Sequence, residues 1–144
     1  MKFQILLILA TLLLLTSVVY AIDSTQYLND LNGLKNSMNR GLNNLPGSIR
    51  FILGSEDMNV HYTMNGSVTD LHLVLDSGNV AVLETGNGQD PDLDVYLSEA
   101  DVNDIANAQD RRAEAKRKLD SGEIRVETHG FLTSIKLSLV RSFL

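Results

Sequence analysis

The stretch LDVYLSEADVNDI, Leu93 to Ile105, changes its character in the middle. LDVYLS reads as a strand. Ser98 then opens SEAD, the Ser-x-x-Asp form of a capping box, ahead of Val102, Ile105 and Ala106 at helical spacing. In a capping box the serine side chain accepts from an orphan amide of the first helical turn, and the acid three residues on returns the bond. The chain therefore has a physical reason to turn from strand into helix at Ser98. A strand that feeds a helix here needs a sheet to belong to, and the flanking segments must supply it.

Upstream, MNVHYTM alternates Met58, Val60, Tyr62 and Met64 against Asn59, His61 and Thr63. TDLHLVLD alternates Leu71, Leu73 and Leu75 against Asp70, His72 and Val74. Asn65-Gly66 lies between them, the dipeptide that most readily takes positive φ at both turn positions, so a tight hairpin is expected. That turn places His61 opposite Asp70, as an exposed pair of little energetic weight. A second turn at DSGN, Asp76 to Asn79, leads to the strand VAVLET, and the loop GNGQDPD leads back to LDVYLS. Successive hairpins make the first part of the sheet antiparallel, with one apolar face that only helices can cover.

Downstream, the helical pattern stumbles at NAQD and restarts as RRAEAKRKL, which predicts two short helices with a break near Asp110. Gly122 fits a helix C-terminus, EIRVETH reads as a fifth strand with Ile124 and Val126 on one face, and Gly130 releases the chain into an apolar C-terminal helix. Near the other end, Tyr27, Leu28, Leu31, Leu34, Met38, Leu42 and Leu45 recur at steps of three and four. They predict one amphipathic helix from Asp23, capped by Asp23 or Ser24 and ended by Pro46-Gly47. SIRFILG, Ser48 to Gly54, stays ambiguous between a helical turn and a strand.

MKFQILLILATLLLLTSVVYA, residues 1–21, has one positive charge, an unbroken apolar run and small residues at Val19 and Ala21, the pattern of a cleaved export signal. The run from Phe3 to Ile22 also approaches the ~20 residues that span a bilayer, so an uncleaved anchor stays open. The expected location is secreted or extracytoplasmic, and membrane-anchored if the segment is retained. The remaining chain divides into the amphipathic helix, 22–47, and one domain, 48–144. With Lys2 removed, 11 basic residues face 18 acidic ones, a balance of −7 that argues against nucleic-acid binding. The chain has no cysteine, so an exported domain would rest on its core rather than on disulfides, and thiol catalysis is excluded.

The order of elements, with Asp94, Val95, Leu97 and Ser98 at the strand-to-helix switch and Gly122, Ile124, Val126 and Gly130 around the last strand, resembles the lipid-binding domain of the sterol carrier protein type 2 family. The likeness covers Met58 to Leu144. It implies an α+β fold, with a five-stranded, mostly antiparallel sheet and helices packed on one face, enclosing a hydrophobic tunnel for acyl chains or other lipids. The export signal departs from the intracellular carriers of that family, and the C-terminal SFL is not the peroxisomal SKL. An acyl or isoprenoid ligand is therefore expected in preference to sterol.

Candidate lipid contacts, chosen by face, are Val60, Tyr62, Leu71, Leu73, Val102, Ile105, Phe131, Ile135, Leu139 and Phe143. The last four stand at steps of four on the C-terminal segment, which serves equally as an ordinary core helix or as one wall of a tunnel. Arg111, Arg112, Lys116, Arg117 and Lys118 collect five of the basic residues. They read as a solvated helix face, with Glu114 and Lys118 at i,i+4 spacing, or as a docking patch for anionic headgroups. No cofactor or metal is expected. The three histidines lack ligand spacing, and the run Asp90, Asp92, Asp94 has Val95 where a calcium loop needs glycine. No Gly-x-Ser-x-Gly elbow, HExxH or P-loop is present, so a non-enzymatic lipid carrier is expected. The rival is an interaction module with a filled core, self-associating or membrane-anchored. Asn65-Gly66-Ser67 is also a glycosylation sequon, although the turn alone accounts for it.

Overall fold

A computed structural model describes residues 29–44 and 55–130. Helix α1 is Leu31–Asn43, followed by strands β1 Glu56–Met64, β2 Ser67–Asp76, β3 Asn79–Thr85 and β4 Leu93–Ser98. Helices α2 Glu99–Asn107 and α3 Arg111–Ser121 come next, then strand β5 Arg125–Thr128. The sheet order is β3-β2-β1-β4-β5. Every neighbouring pair is antiparallel except β1 with β4, so the sheet is mixed and mostly antiparallel, as expected.

The two hairpins form where the turn residues predicted them. Asn65 and Gly66 have φ of 51° and 77°, and Ser77 and Gly78 have 52° and 76°. Two consecutive positive φ values twist the turn in the same sense as the strands it joins. A bulge between Val74 and Leu75 then shifts β3 by one residue, so that Val80 pairs with Leu75 and Val82 with Val74. Val80 is thereby turned into the core.

Pairing across β1 fixes the two faces. Met58, Val60 and Tyr62 lie beside Leu73, Leu71 and Thr69 on one side and beside Leu93, Val95 and Leu97 on the other. This is the apolar face. Leu34, Met38 and Leu42 of α1 join Leu73, Leu75 and Val80 in its core, and Val102, Ile105, Ala115, Leu119 and Ile124 complete the same cluster. Each fully buried aliphatic side chain contributes roughly 1.5–3 kcal/mol. Core burial is thus the main force that holds the helices on this face.

Local signals start and stop the helices. Ser98 Oγ accepts from Asp101 N, and Asp101 Oδ2 accepts from Ser98 N at 2.8 Å, which completes the predicted capping box. Asp110 caps α3 at the expected break, and Gly122 ends it in the left-handed conformation with φ 80°. The described N-terminal helix begins at Leu31, with Asp30 as its cap; the expected caps Asp23 and Ser24 and the expected end at Pro46-Gly47 lie outside the described residues. Its docking is polar at one point. Asn39 Oδ1 accepts from Val80 N at 2.7 Å, its Nδ2 donates to Val80 O, and Lys35 Nζ donates to Ala81 O at 2.6 Å. An asparagine amide here takes the place of a sixth strand along the open edge of β3.

The parallel β1–β4 pair requires the chain to leave β3, pass β2 and β1, and enter on the far side. Three strand spacings are about 14 Å. The seven residues 86–92 reach about 24 Å when extended, so they cross with slack. They do so over the polar face, as a strap.

Candidate functional site

The apolar face places the expected contacts in two groups. Leu71, Leu73, Val102 and Ile105 are buried in the core, at 7%, 2%, 4% and 0% exposure. Val60 and Tyr62 are half-buried and pack against that core together with Leu83 and Val126. The alternation MNVHYTM had marked Val60 and Tyr62, whereas Leu83 and Val126 join them only through the register of β3 and β5. Phe131, Ile135, Leu139 and Phe143 lie outside the described residues.

The basic cluster does not form a uniform solvated face. Lys116 pairs with Asp120 at 3.3 Å, and Arg117 with Glu114 at 2.7 Å and Glu123 at 2.6 Å. Lys118, expected at the surface opposite Glu114, is instead 1% exposed and meets Asp101, Asp104 and Glu123 at 2.8–3.0 Å. It is therefore corrected as a headgroup contact: its charge is spent inside the protein. Burial opposes the ammonium, but the three carboxylates raise its pKa well above the ordinary lysine value. Arg117, then Lys118 and Ser121, hold Glu123 down at about 2. Arg111 is half-buried, and the side chain of Arg112 falls outside the described part.

The reverse of the sheet carries an arrangement that sequence reasoning largely missed. His61 Nδ1 lies 2.6 Å from Asp70 Oδ1 and its Nε2 2.7 Å from Asp94 Oδ1, so the imidazole is clamped between β2 and β4. His72 is held in the same way, by Asp57 at 2.9 Å and Glu84 at 3.0 Å. His129 Nε2 meets the second oxygen of Asp94. The His61 ring stacks on Tyr96 with centroids 4.4 Å apart, and Arg125 lies over the Tyr96 ring at 4.1 Å. Only the His61–Asp70 pair was visible from the hairpin, and it is half-buried rather than exposed. Asp94 and His129 are brought in by the β1–β4 and β4–β5 registers.

The strap covers this polar face. Gly86 N donates to Asp70 O, Asn87 Nδ2 to Asp70 Oδ2, Gly88 N to Asn59 Oδ1, and Asp92 N to Asp57 O. Gly88 sits so close to the His72 ring that a Cβ there would overlap it. An open cleft of about 520 Å³ remains beside the strap, lined by Asn59, Asp90, Pro91, Asp92, Asp94 and His129. Among the described residues no group of His, Asp and Glu could hold a metal ion. His61 and His72 have both nitrogens engaged by carboxylates, so neither has a lone pair free to act as a general base.

Burial works against a charged His61, yet its bonds to Asp94 and Asp70 outweigh this and raise its pKa above the usual histidine value. Glu84, opposed by burial and seconded by Asp57, does the same for His72. Burial alone would lift Asp94, but His129 and His61 hold it below the usual carboxylate range.

The fold defined by this sheet and its helices is that of the sterol carrier protein type 2 class. A UbiJ-SCP2 ubiquinone synthesis protein superposes with a TM-score of 0.52 at 20% identity, covering 78% of this chain and 87% of its own. Sterol carrier protein 2 like 2 from Aedes aegypti gives a TM-score of 0.46 at 13% identity, covering 79% of this chain and 95% of its own. A stereoselective inverting sec-alkylsulfatase from a Pseudomonas species gives 0.42 at 17% identity, with 77% of this chain matched to 16% of the enzyme. No protein-family model matches the sequence, and no curated protein matches it.

Proposed function

We propose that this chain is an exported, non-enzymatic lipid-binding or lipid-transfer protein that holds an acyl or isoprenoid chain against the apolar face of its sheet. The observation that carries the reading is the fold, shared over most of both chains with a UbiJ-SCP2 ubiquinone synthesis protein, combined with the half-buried patch of Val60, Tyr62, Leu83 and Val126 beside the buried core. An apolar chain laid on such a patch gains roughly 0.8 kcal/mol per methylene before the costs of binding, so recognition needs no charged anchor. The apolar stripe of the C-terminal segment, Phe131, Ile135, Leu139 and Phe143, supplies a further wall in this reading. Export rests on the signal-like residues 1–21.

The test is native mass spectrometry of the protein recovered from a lipid-containing host, followed by organic extraction. The expected result is a stoichiometric lipid that is lost in Val60→Asp while the circular dichroism of the fold is kept. An apo mass that stays apo after challenge with fatty acids and isoprenoid quinones would overturn it. The filled-core interaction module would then take its place.

A further inference from the structure

We propose that the polar face of the sheet is a proton-binding site, which holds one proton in excess on His61 and one on His72, and that these two imidazolium ions lock the strap 86–92 onto the sheet. This stands apart from the lipid reading and uses none of its residues. The argument begins with hydrogen count. An imidazole that faces a carboxylate oxygen at each nitrogen can satisfy both only by donating twice, and only the imidazolium has two N–H groups. His61 has oxygens at 2.6 and 2.7 Å, and His72 at 2.9 and 3.0 Å. Loss of either proton would leave a bare nitrogen against a carboxylate in a half-buried setting, where the repulsion is weakly screened.

The surroundings are consistent from every side. Around His61, β2 presents Asp70, β4 presents Asp94 and Tyr96, and β5 and its end present Arg125, Glu127 and His129, with Arg125 over the tyrosine ring and His129 on the far oxygen of Asp94. Around His72, β1 presents Asp57 and β3 presents Glu84. The strap brings Asn87 onto Asp70, Asp92 onto the amide of Asp57, and Asp90 and Asp92 to the cleft. Acidic groups outnumber Arg125 as the cationic neighbour, so the field across this face favours protonated rings.

Both rings are also part of what the strap rests on. Gly88 lies against the His72 ring, and Asp70, the partner of His61, accepts from Asn87 and, through its backbone oxygen, from Gly86. Deprotonation turns each clamp from attraction to repulsion directly beneath the strap. The sign follows from the raised histidine values: the contribution is complete below the unfolded value of about 6.5 and is lost as pH rises through the folded values.

The measurement is histidine-resolved ¹⁵N NMR of the unmodified protein from pH 5 to 9, with protection factors for the Gly86, Gly88 and Asp92 amides. An unperturbed histidine is about one quarter protonated at pH 7. The expected result is that His61 and His72 are each more than half protonated there, with N–H at both nitrogens, and that strap protection falls at least tenfold across their titration while the β1–β2 amides stay protected. Asp57→Asn should lower the midpoint of His72 and leave that of His61 in place. Two neutral rings at pH 7 would overturn the proposal, and so would strap protection that is level through the titration.

Discussion

A single carboxylate, Asp101, shows how much one side chain can carry. One oxygen closes the capping box at Ser98 and the other accepts from buried Lys118. Removing the single cation leaves buried Asp101 facing Asp104 and Glu123 uncompensated, at a cost of about 3–5 kcal/mol, whereas loss of Asp101 leaves Lys118 with two carboxylates. Lys118→Met should therefore destabilise the fold by about that amount in urea denaturation, and Asp101→Ala, which loses the cap but leaves the cation paired, by about 1–2 kcal/mol. A larger loss in Asp101→Ala than in Lys118→Met would mean that the cap, not the ion cluster, dominates. At Gly88 the argument is steric. His72 is clamped at both nitrogens and cannot swing aside, so Gly88→Ala should cost about 1–3 kcal/mol, the usual scale of forced overpacking. His72→Ala should relieve much of that cost in a double-mutant cycle.

At the scale of the element, α1 is fastened to β3 by Leu34, Met38 and Leu42 and by the two bonds between Asn39 and Val80. Each net hydrogen bond is worth about 0.5–1.5 kcal/mol. Asn39→Ala should lower stability by about 1–3 kcal/mol, and it uncovers a strand edge that invites pairing with another chain. Light scattering of the variant should show concentration-dependent association that the parent lacks. The elements themselves were legible because their signals are local: Asn65-Gly66, Ser98 with Asp101, Asp110 and Gly122 each act within a few residues. The start of α1 was not, since Asp30 is one of several acidic or hydroxyl residues able to cap that stretch.

Over the whole molecule, the apolar side could be read from alternation and the polar side could not. Val60, Tyr62, Leu71 and Leu73 declare their face within their own strands. His61 meets Asp94, and Asp94 meets His129, only because β4 lies parallel to β1, and nothing local in either strand says so. The one outward sign was the repeated placement of His, Asp and Asn at solvent-facing positions of β1, β2 and β4. Stability should reflect this side too. The histidines contribute in full below about pH 6.5 and lose that contribution as pH rises through their raised folded values, while Asp94, held low by its two imidazoles, contributes above the unfolded value of about 3.9 and loses that contribution as pH falls through its folded value. Thermal melts should therefore peak between roughly pH 4 and 6.5. A maximum above pH 8 would contradict the charge state drawn for this face.

The crossing of residues 86–92 also divides the chain in time. The β1–β2–β3 meander closes through two tight turns between sequence neighbours, the kind of contact that forms within microseconds. Strand β4 cannot join until the chain has travelled across that meander and found β1, a pairing about 35 residues distant at Met58 and Leu93. The meander is therefore expected to form first, with the docking of β4, which brings the capping box and both following helices with it, as the committing step. Slackening the strap with inserted glycines should slow refolding and leave the rate of unfolding nearly as it was, the kinetic mark of a loop whose closure belongs to the barrier.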